Sequence, residues 1–475
     1  MTAPTTVPNV RSERFDRRLL APMMLGSILN PINSSIIAVA LVPIAVAFGA
    51  PASETAWLVS ALYLATSIGQ PLFGRLVDIF GPRPLYLIGA VLTGIAGLLG
   101  TFAPGLWMLI AARVVLGFGT CAAYPASMYL IRSEERRTGV SSPAGVLTAL
   151  SVTTQTIAVV GPTLGGLLIG IGGWRAVFAI NIPLSVACLI LGLLVLPRRT
   201  PLAARSGPDA RFDVVGVVLF SGMMISILVL LMDFRIDRVW LIAVALVAAG
   251  GFAIRELRAR DPFIDVRVLG GNVPLVVTYL RSVLGATVTY AFLYGFTQWL
   301  EGGRGLSASQ AGLVLMPAFA TGIVVAVVTG RRPQIRGKLL VGASAMVVAC
   351  VLMLLVHQTS AVWFLIVIAV IVGVPQGLVN LAIQNTLYHQ ADPERMGASS
   401  GLLRTFMYLG AMLASSASGA LFGEQATDGG LHELAVFMLI AAVLLVLVTL
   451  LDRSLIRVDR AAGEGRRATV SSSRS

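Results

Sequence analysis

Three arginines stand inside long apolar stretches of the sequence: Arg113, Arg281 and Arg404. A guanidinium in a hydrocarbon layer costs between about 3 and about 17 kcal/mol, depending on the method, so each needs a polar partner or a water-filled cavity. Uncharged polar side chains in such stretches also tend to face the protein interior. Together they predict a polar pathway for a small molecule. Its further candidates are Asn30, Asn33, Gln70, Gln155, Gln298, Gln376, Asn380 and Gln384.

Aromatic side chains on one of these stretches extend the candidate pathway. Tyr290, Phe292 and Tyr294 lie within residues 273–299. Such rings stack on aromatic ligands or pack against neighbouring helices, and the sequence leaves both interpretations open. Tyr290 and Tyr294 are therefore candidates for contact with an aromatic substrate.

The sequence lacks the residue groups on which enzymes depend. Its cysteines, Cys121, Cys188 and Cys350, lie in apolar runs without a CxxC spacing. It contains no metal-ligand cluster, phosphate-binding loop or nucleophile paired with a base. None of the 22 Asp and Glu residues falls in the interior of a predicted membrane span. We therefore expect no enzymatic activity, metal or cofactor, and substrates that are neutral or anionic amphiphiles.

Fourteen apolar stretches must position these side chains. The chain is 56% hydrophobic and 12% charged, whereas about 25% of the residues in a soluble domain are charged. A helix of about 20 apolar residues crosses the hydrocarbon layer of a bilayer. The sequence therefore predicts an all-α membrane protein. The predicted spans are 20–48, 56–73, 84–103, 106–130, 142–170, 176–196, 213–232, 239–255, 273–299, 308–329, 338–356, 361–386, 398–422 and 433–451.

The basic residues indicate how these helices are oriented. Most of the 35 Lys and Arg residues fall in loops on one predicted side of the membrane, as is typical of cytoplasmic loops. We therefore predict that both termini are cytoplasmic. The net charge of +13 is then a sign of membrane orientation, and we expect no nucleic-acid partner. Lys338 is the only lysine, a bias typical of GC-rich bacteria, so the predicted location is the bacterial cytoplasmic membrane.

Two short patterns recur and indicate an internal duplication. Residues 74–81 (GRLVDIFG) reappear as 330–337 (GRRPQIRG), and residues 137–142 (RTGVSS) reappear as 395–400 (RMGASS), at nearly the same separation. Parallel repeats of this kind form two halves with the substrate site between them, near the middle of the membrane.

The repeat divides the chain into five predicted segments, and two such halves need no second copy, so we expect a monomer. The segments are a cytoplasmic N-terminus (1–19), a six-helix half (20–197), a linker with two extra helices (198–260), a second six-helix half (261–452) and a disordered tail (453–475).

Five motifs resemble the major facilitator superfamily, and in particular its fourteen-span branch of drug:proton antiporters. They occur in the family's order on the predicted elements and cover nearly the whole chain. The motifs are GRLVDIFGPR at 74–83, RVVLGFG at 113–119, GPTLGG at 161–166, PFIDVR at 262–267 and QWLEGGRG at 298–305.

The resemblance implies that residues 74–83 latch the outward-facing state. Gly74 and Gly81 would permit a tight approach, while Asp78 would accept hydrogen bonds from helix N-terminal amides and pair with Arg83. The alternative is a solvated acid in an ordinary loop. The second copy of the repeat carries Gln334 in place of the acid.

The resemblance also implies a coupling residue and a hinge. Arg113 would take part in proton coupling, or else bond backbone carbonyls in a structural role. Residues 161–166 would form a hinge in which Pro162 kinks the helix while Gly161, Gly165 and Gly166 let a neighbour come close. Simple packing of small residues is the alternative.

One departure from the family concerns the proton. Asn33 stands where the family commonly has an acid, and a proton-driven antiporter needs a group whose pKa differs between the two faces. Either Asp78, Asp233 or Glu301 titrates at the edge of the pathway, or transport is not coupled to protons in the usual manner.

The sequence thus predicts a secondary transporter that exports drugs or other hydrophobic or amphiphilic small molecules by proton antiport. Its expected partners are the substrate, protons and the lipid bilayer. One alternative is a narrow exporter of a metabolite made by the same cell. Another, from a different class, is a membrane scaffold or sensor that does not transport.

Overall fold

Long helices form wherever the sequence keeps apolar residues over a membrane-spanning length, because an α-helix satisfies its backbone hydrogen bonds without water. The computed structural model describes residues 15–50, 52–55, 57–138, 143–198, 213–232, 238–259, 262–264, 266–330, 332, 334–422, 426–457 and 459. Its N-terminal helices are α1 (Leu20–Phe48), α2 (Ala52–Thr55), α3 (Trp57–Phe80), α4 (Pro82–Thr101), α5 (Leu106–Thr120), α6 (Ala123–Thr138), α7 (Pro143–Ala179) and α8 (Asn181–Val195).

The remaining helices include the inserted pair and the second half. They are α9 (Val214–Met232), α10 (Trp240–Arg258), α11 (Val266–Gly271), α12 (Val273–Ala291), α13 (Ala308–Gly330), α14 (Ile335–Met353), α15 (Val362–Gln390), α16 (Met396–Phe422) and α17 (Asp428–Leu451).

Each predicted span coincides with a helix, or with successive helical segments, in the described chain. Among the described residues, ten helical segments are long and apolar enough to cross a membrane, and a pair bent by 48° at α7 and α8 makes an eleventh if it counts as one span. The prediction of an all-α membrane fold is confirmed. The helices run past the predicted ends where the second and third spans meet, since α3 continues to Phe80 and α4 begins at Pro82.

The helices form two groups that meet along two seams. Within the first group α1 packs on α7, and within the second group α13 packs on α15 and α12 on α16. Between the groups, α3 packs on α16 and α7 packs on α13. We call these contacts the α3–α16 seam and the α7–α13 seam.

The inserted helices α9 and α10 form a hairpin beside the α3–α16 seam. They pack on each other, and α9 also contacts both α3 and α16. Phe220 of α9 lies in a buried cluster with Ile68 of α3, Phe252 of α10 and Phe263. The hairpin therefore touches both groups of helices at the place where they meet.

Helix α7 has a break near its C-terminal end. Within the described backbone of α7 the non-helical angles are at Gly172 (φ −140°) and Gly173 (φ 67°). A positive φ costs little at glycine because it has no Cβ, so a GG pair is a better place for a break than a proline whose neighbours pack tightly. This break was not anticipated from the sequence, and the kink expected at Pro162 stays a prediction.

Helix α12 continues into two π-helical turns, Phe292–Phe296 and Trp299–Gly303. Such wider turns occur often at functional sites, because they re-aim side chains that a regular helix would point elsewhere. Here the first of these turns carries Tyr294, whose hydroxyl lies 3.4 Å from that of Tyr63 in the first helix group.

Both ends of the described chain lie at one end of the bundle, which holds Asp78, Glu135, Gln390, Ser454 and Asp459. We call this end the basic face because of its arginine-rich loops. The backbone amide of Asp16 donates to Glu134 over 3.2 Å. The first residues of the predicted disordered tail pack there as well. Leu455 is fully buried, and Asp459 accepts hydrogen bonds from the amides of Ile335 (2.5 Å) and Arg336 (3.3 Å). Residues 1–14 and 460–475 lie outside the described chain.

Candidate functional site

Asp78 joins the two helix groups at the basic face. Its carboxylate accepts hydrogen bonds from the amides of Gly397 and Ala398, both over 2.8 Å. These amides belong to the first turn of α16, where helix amides lack intrahelical partners and attract negative charge. Asp78 is only 6% exposed. The geometry is that of a latch between α3 and α16.

A close backbone approach makes this latch possible. A Cβ atom on Gly74 would overlap the carbonyl oxygen of Gly397, and one on Gly397 would overlap that of Gly74. Gly81 has a φ of 86° and ends α3 in a single residue. Arg83, however, does not pair with Asp78. It donates to the carbonyl of Leu193 over 2.8 Å, because α4 begins at once and carries the side chain toward α8.

The second copy of the repeat makes a related but weaker contact at the α7–α13 seam. A Cβ atom on Gly330 would overlap Thr148 of α7, as one on Gly74 would overlap α16. Gln334 is the N-cap of α14 and makes no capping hydrogen bond with its side chain. The charged latch is therefore formed by the first copy.

A second contact at the basic face involves residues that the sequence did not single out. The Tyr388 hydroxyl of α15 donates to the Glu135 carboxylate of α6. Arg132 pairs with Glu135 over 2.5 Å and lies 5.0 Å from the centre of the Tyr388 ring. Like the latch, this contact holds the two helix groups together at the basic face.

The α3–α16 seam continues inward through hydrogen bonds and close packing. Thr405 donates to the Ser67 carbonyl over 2.8 Å, and Gly401 lies directly against the backbone of Gln70. Gln70 is 3% exposed, and its side-chain oxygen has no hydrogen-bond partner in the described chain.

Asn30 links the helix groups near the middle of the bundle. Its side-chain oxygen accepts from the hydroxyl of Tyr408 over 3.0 Å, and its nitrogen donates to Thr120 over 3.1 Å. The predicted pathway residue Asn30 therefore does lie between the halves.

Five tyrosines surround this position, and we call them the tyrosine cluster: Tyr63, Tyr124, Tyr290, Tyr294 and Tyr408. The hydroxyls of Tyr63 and Tyr294 lie 3.4 Å apart, and the rings of Tyr63 and Tyr408 are 5.7 Å apart. Tyr290 and Tyr294 are 5.6 Å apart. Helices α3 and α6 contribute two members, and α12 with its π-helical turn and α16 contribute three.

Arg404 adds a positive charge to the tyrosine cluster. Its guanidinium carbon lies 4.0 Å from the centre of the Tyr124 ring, and one of its nitrogens lies 3.5 Å from the sulfur of Met407. It is also close enough to Tyr290 and Tyr408 for electrostatic interaction. The side chain is half-buried.

Arg113 lies apart from this cluster, within the first helix group. It is 1% exposed and donates to the carbonyls of Leu58 (2.7 Å) and Asn33 (3.2 Å). The side chain of Asn33 forms a reciprocal amide pair with Asn181, over 2.6 and 2.9 Å. Asn33 therefore uses its amide within its own half, and the structure does not place it with Asn30 and Arg404.

Two other predicted residues lie at the α7–α13 seam. Gln155 and Gln376 flank Gly322 of α13, and the Gln155 side-chain oxygen has no hydrogen-bond partner in the described chain. Gln384 donates to Asn380 over 3.1 Å. Gln298 is exposed between the two π-helical turns and joins neither seam.

The predicted hinge residues pack inside the first helix group. Gly161 lies against Ser35, and Gly165 against Ile36 and Val39, all on α1, whereas Gly166 has no neighbour near its Cβ position. This contact explains why the glycines sit there. The placement of the Pro162 side chain lies outside the described features.

Sequence reasoning missed Tyr63, Tyr124 and Tyr408, although each places a phenol in an apolar helix. That was the available signal, since a buried tyrosine hydroxyl usually has a hydrogen-bond partner. It also missed the pair Glu135 and Tyr388. Their contact joins positions far apart in sequence, which no local pattern reveals.

Comparison with known proteins identifies the family. The sequence profile of the Major Facilitator Superfamily matches residues 23–415. An uncharacterized MFS-type transporter of Bacillus subtilis, YwoD, is 31% identical over 429 residues, which cover 89% of this chain and 94% of the relative.

A second relative and a solved structure are consistent with this family. The multidrug efflux pump LfrA of Mycolicibacterium smegmatis is 27% identical over 416 residues, 85% of this chain and 80% of the relative. The crystal structure of the human organic anion transporter MFSD10 has a TM-score of 0.66 at 15% identity and covers 91% of this chain and 100% of that one. The chain is a multi-pass membrane transporter of small molecules and belongs to the major facilitator superfamily.

Proposed function

We propose that this chain exports drugs or other hydrophobic and amphiphilic small molecules across the bacterial cytoplasmic membrane, in exchange for protons. The observation that carries this proposal is the polar cluster around Asn30 and Arg404, which lies between two helix groups joined at one end by the Asp78 latch. Similarity to a multidrug efflux pump supports it. We further propose that the protein acts as a monomer, because each half supplies part of one site.

The conformation of the structure is compatible with export. If the basic face is cytoplasmic, as its arginine-rich loops favour, the latch and the contact between Tyr388 and Glu135 close the cytoplasmic entrance. This arrangement corresponds to the outward-facing state, from which an exporter releases its substrate. Opening the latch would admit substrate from the cytoplasm.

Asp78 is our candidate for the group that couples protons to this cycle. Each of its two carboxylate oxygens accepts one hydrogen bond, from the amide of Gly397 or that of Ala398. Protonation would remove the charge that the α16 N-terminus attracts, and charge-assisted hydrogen bonds of this kind are worth about 1.5–3 kcal/mol. A proton that reaches Asp78 from the outward-open pathway would therefore favour opening of the basic face, and it would leave to the cytoplasm once that face is open. Glu301 is exposed near the end of the α12 extension, and Asp233 lies outside the described residues.

The test is export from cells that express the protein, measured with cationic, neutral and anionic fluorescent compounds, with and without a protonophore. We expect export of at least one compound, and its loss with the protonophore. Asp78→Asn should lose export, because the amide cannot carry the latch charge. Asp392→Asn is the matched control, since Asp392 is an exposed acid of the same face.

Two results would contradict the proposal in different ways. If the protein is present in the membrane but exports none of the compounds, drug export is wrong. If export continues unchanged with the protonophore and in Asp78→Asn, proton antiport through Asp78 is wrong, while export itself stands.

A further inference from the structure

The three arginines inside the predicted membrane spans differ in their exposure and in their partners. Arg113 is 1% exposed and donates to two backbone carbonyls, so a ligand cannot reach it in this conformation, although one of its terminal nitrogens has no partner in the described chain. Arg281 is fully buried and forms an ion pair with Asp452 over 2.6 Å. Arg404 is half-buried, and within the described chain no carboxylate forms an ion pair with it. Of these three arginines, Arg404 is thus the one that is both partly exposed and without an ion-pair partner in the described chain, which leaves it available to a ligand.

The surroundings of Arg404 are aromatic and come from both halves. Its guanidinium lies on the Tyr124 ring of α6, and the rings of Tyr63 and Tyr408 lie within 5.7 Å of each other across the α3–α16 seam. Tyr290 and Tyr294 complete the cluster from α12. Five of the nine tyrosines of the chain therefore gather around one cation.

We propose that Arg404 and the tyrosine cluster form a binding site for an aromatic acid in its anionic form. The substrates of this transporter would then be aromatic carboxylates. This inference rests on the proposed export function, and it names the class of molecule that the site selects.

Physical chemistry favours an anion over a cation at this position. A guanidinium offers a planar fork of donors that matches a carboxylate, and the match is stronger where water is scarce. A cationic ligand would face the same charge, and within the described chain no carboxylate pairs with Arg404 to offset it. Tyrosine faces supply stacking for an aromatic ring, and their hydroxyls supply hydrogen bonds for its polar substituents.

Binding to the purified full-length protein in detergent tests the proposal, with three probes that share one ring system. The probes are 1-naphthaleneacetate, 1-naphthaleneethanol and 1-naphthaleneethylammonium, and their fluorescence reports binding. We expect the wild-type protein to bind the carboxylate most tightly. Arg404→Gln should weaken carboxylate binding by roughly tenfold to a hundredfold, the loss expected for charge-assisted hydrogen bonds. It should leave binding of the alcohol essentially unchanged, which also shows that the variant is folded.

Three further variants separate charge from ring contacts. Arg404→Lys should restore part of the carboxylate binding, because it keeps the charge and loses the planar fork. Tyr63→Leu should weaken all three probes by a similar factor, while Tyr63→Phe should not. Arg332→Gln is the matched control, since Arg332 is an exposed arginine between α13 and α14.

The proposal is overturned if the wild-type protein does not bind the carboxylate, binds all three probes equally, or keeps its carboxylate affinity in Arg404→Gln. Transport gives an independent answer. Carboxylate binding that depends on Arg404 without export from vesicles would support this site and contradict the export function. Export of the alcohol or the amine alone would support export and contradict this site.

Discussion

Single residues decide how the basic face closes. Asp78 supplies the charge of the latch, and Gly74 and Gly397 let the backbones of α3 and α16 approach until a side chain on either would overlap the other. Packing and electrostatics therefore act on the same contact. A change at Gly74 should affect closure even though it leaves Asp78 in place.

We expect Gly74→Ala to abolish export while the protein remains folded in the membrane. The added methyl group would overlap the Gly397 carbonyl and push α16 away from Asp78. Gly337→Ala is the control, because the nearest atom to its Cβ position is 3.8 Å away. Export of a fluorescent substrate, normalised to protein in the membrane, measures the effect. Equal export by both variants would contradict the role of close packing in the latch.

The ion pair between Arg281 and Asp452 carries a second prediction. Removing the acid with Asp452→Asn should destabilise the protein by about 3–5 kcal/mol, because it leaves Arg281 buried without a countercharge. The double variant Arg281→Met with Asp452→Leu should lose less, since it removes both charges. Thermal unfolding in detergent compares them. Similar unfolding temperatures for wild type and Asp452→Asn would show that the pair contributes nothing.

The same pair predicts how stability depends on pH. Burial raises the pKa of Asp452, but hydrogen bonds from Ser454 and Arg281 outweigh it, so the pKa is lowered overall. A lowered pKa gives stability that is present above the unfolded value, about 3.9, and is lost as the pH falls through the folded value. Acid unfolding of Asp452→Asn should therefore lack this contribution, so its difference from wild type should shrink below about pH 4.

At the scale of helices, two irregular segments stand out from an otherwise regular bundle. Helix α7 breaks at Gly172 and Gly173, and α12 continues into π-helical turns that bring Tyr294 to Tyr63. The inserted hairpin of α9 and α10 is the third local feature, since it packs beside the α3–α16 seam. Each feature places side chains where a straight helix would not.

Gly173→Ala tests the break in α7. The φ of 67° at Gly173 disfavours any side chain, so we expect a loss of about 1–2 kcal/mol of stability. Gly170→Ala is the matched control, because Gly170 is helical and has open space at its Cβ position. That variant should be neutral or slightly stabilising. Stability is measured by unfolding in detergent. Equal stability of the two variants would rule out a strained break at Gly173.

The length of each apolar stretch predicted the helices. A chain that crosses lipid must form a helix to satisfy its backbone hydrogen bonds, whichever helices it packs against. The break in α7 was not anticipated, since the pair Gly172 and Gly173 is a weak signal in a chain with many glycines. The partners of Asp78 were predicted in part. Helix amides were expected as partners, and they are present. Arg83 was expected as well, but it lies on α4, and the single turn residue Gly81 places its side chain against Leu193 instead. The tyrosine cluster joins Tyr63 to Tyr294, and no local pattern relates positions so far apart.

At the scale of the whole molecule, two helix groups meet along two seams and share one polar cluster. The contacts at the basic face are the Asp78 latch, the approach of Gly330 to Thr148, and the pair of Tyr388 with Glu135. Each joins one group to the other. Transport by alternating access requires these contacts to break together while the cluster changes the side to which it opens.

The distance between the two groups at the basic face tests this account most directly. Arg136 of α6 and His389 of α15 are exposed on opposite groups, and the native Cys121, Cys188 and Cys350 are buried. Spin labels on Arg136→Cys and His389→Cys would report that distance by double electron-electron resonance. We predict a short and a long distance, with the long one favoured by acid and by Gly74→Ala. A single distance that no condition changes, in protein that still exports its substrate, would contradict the account.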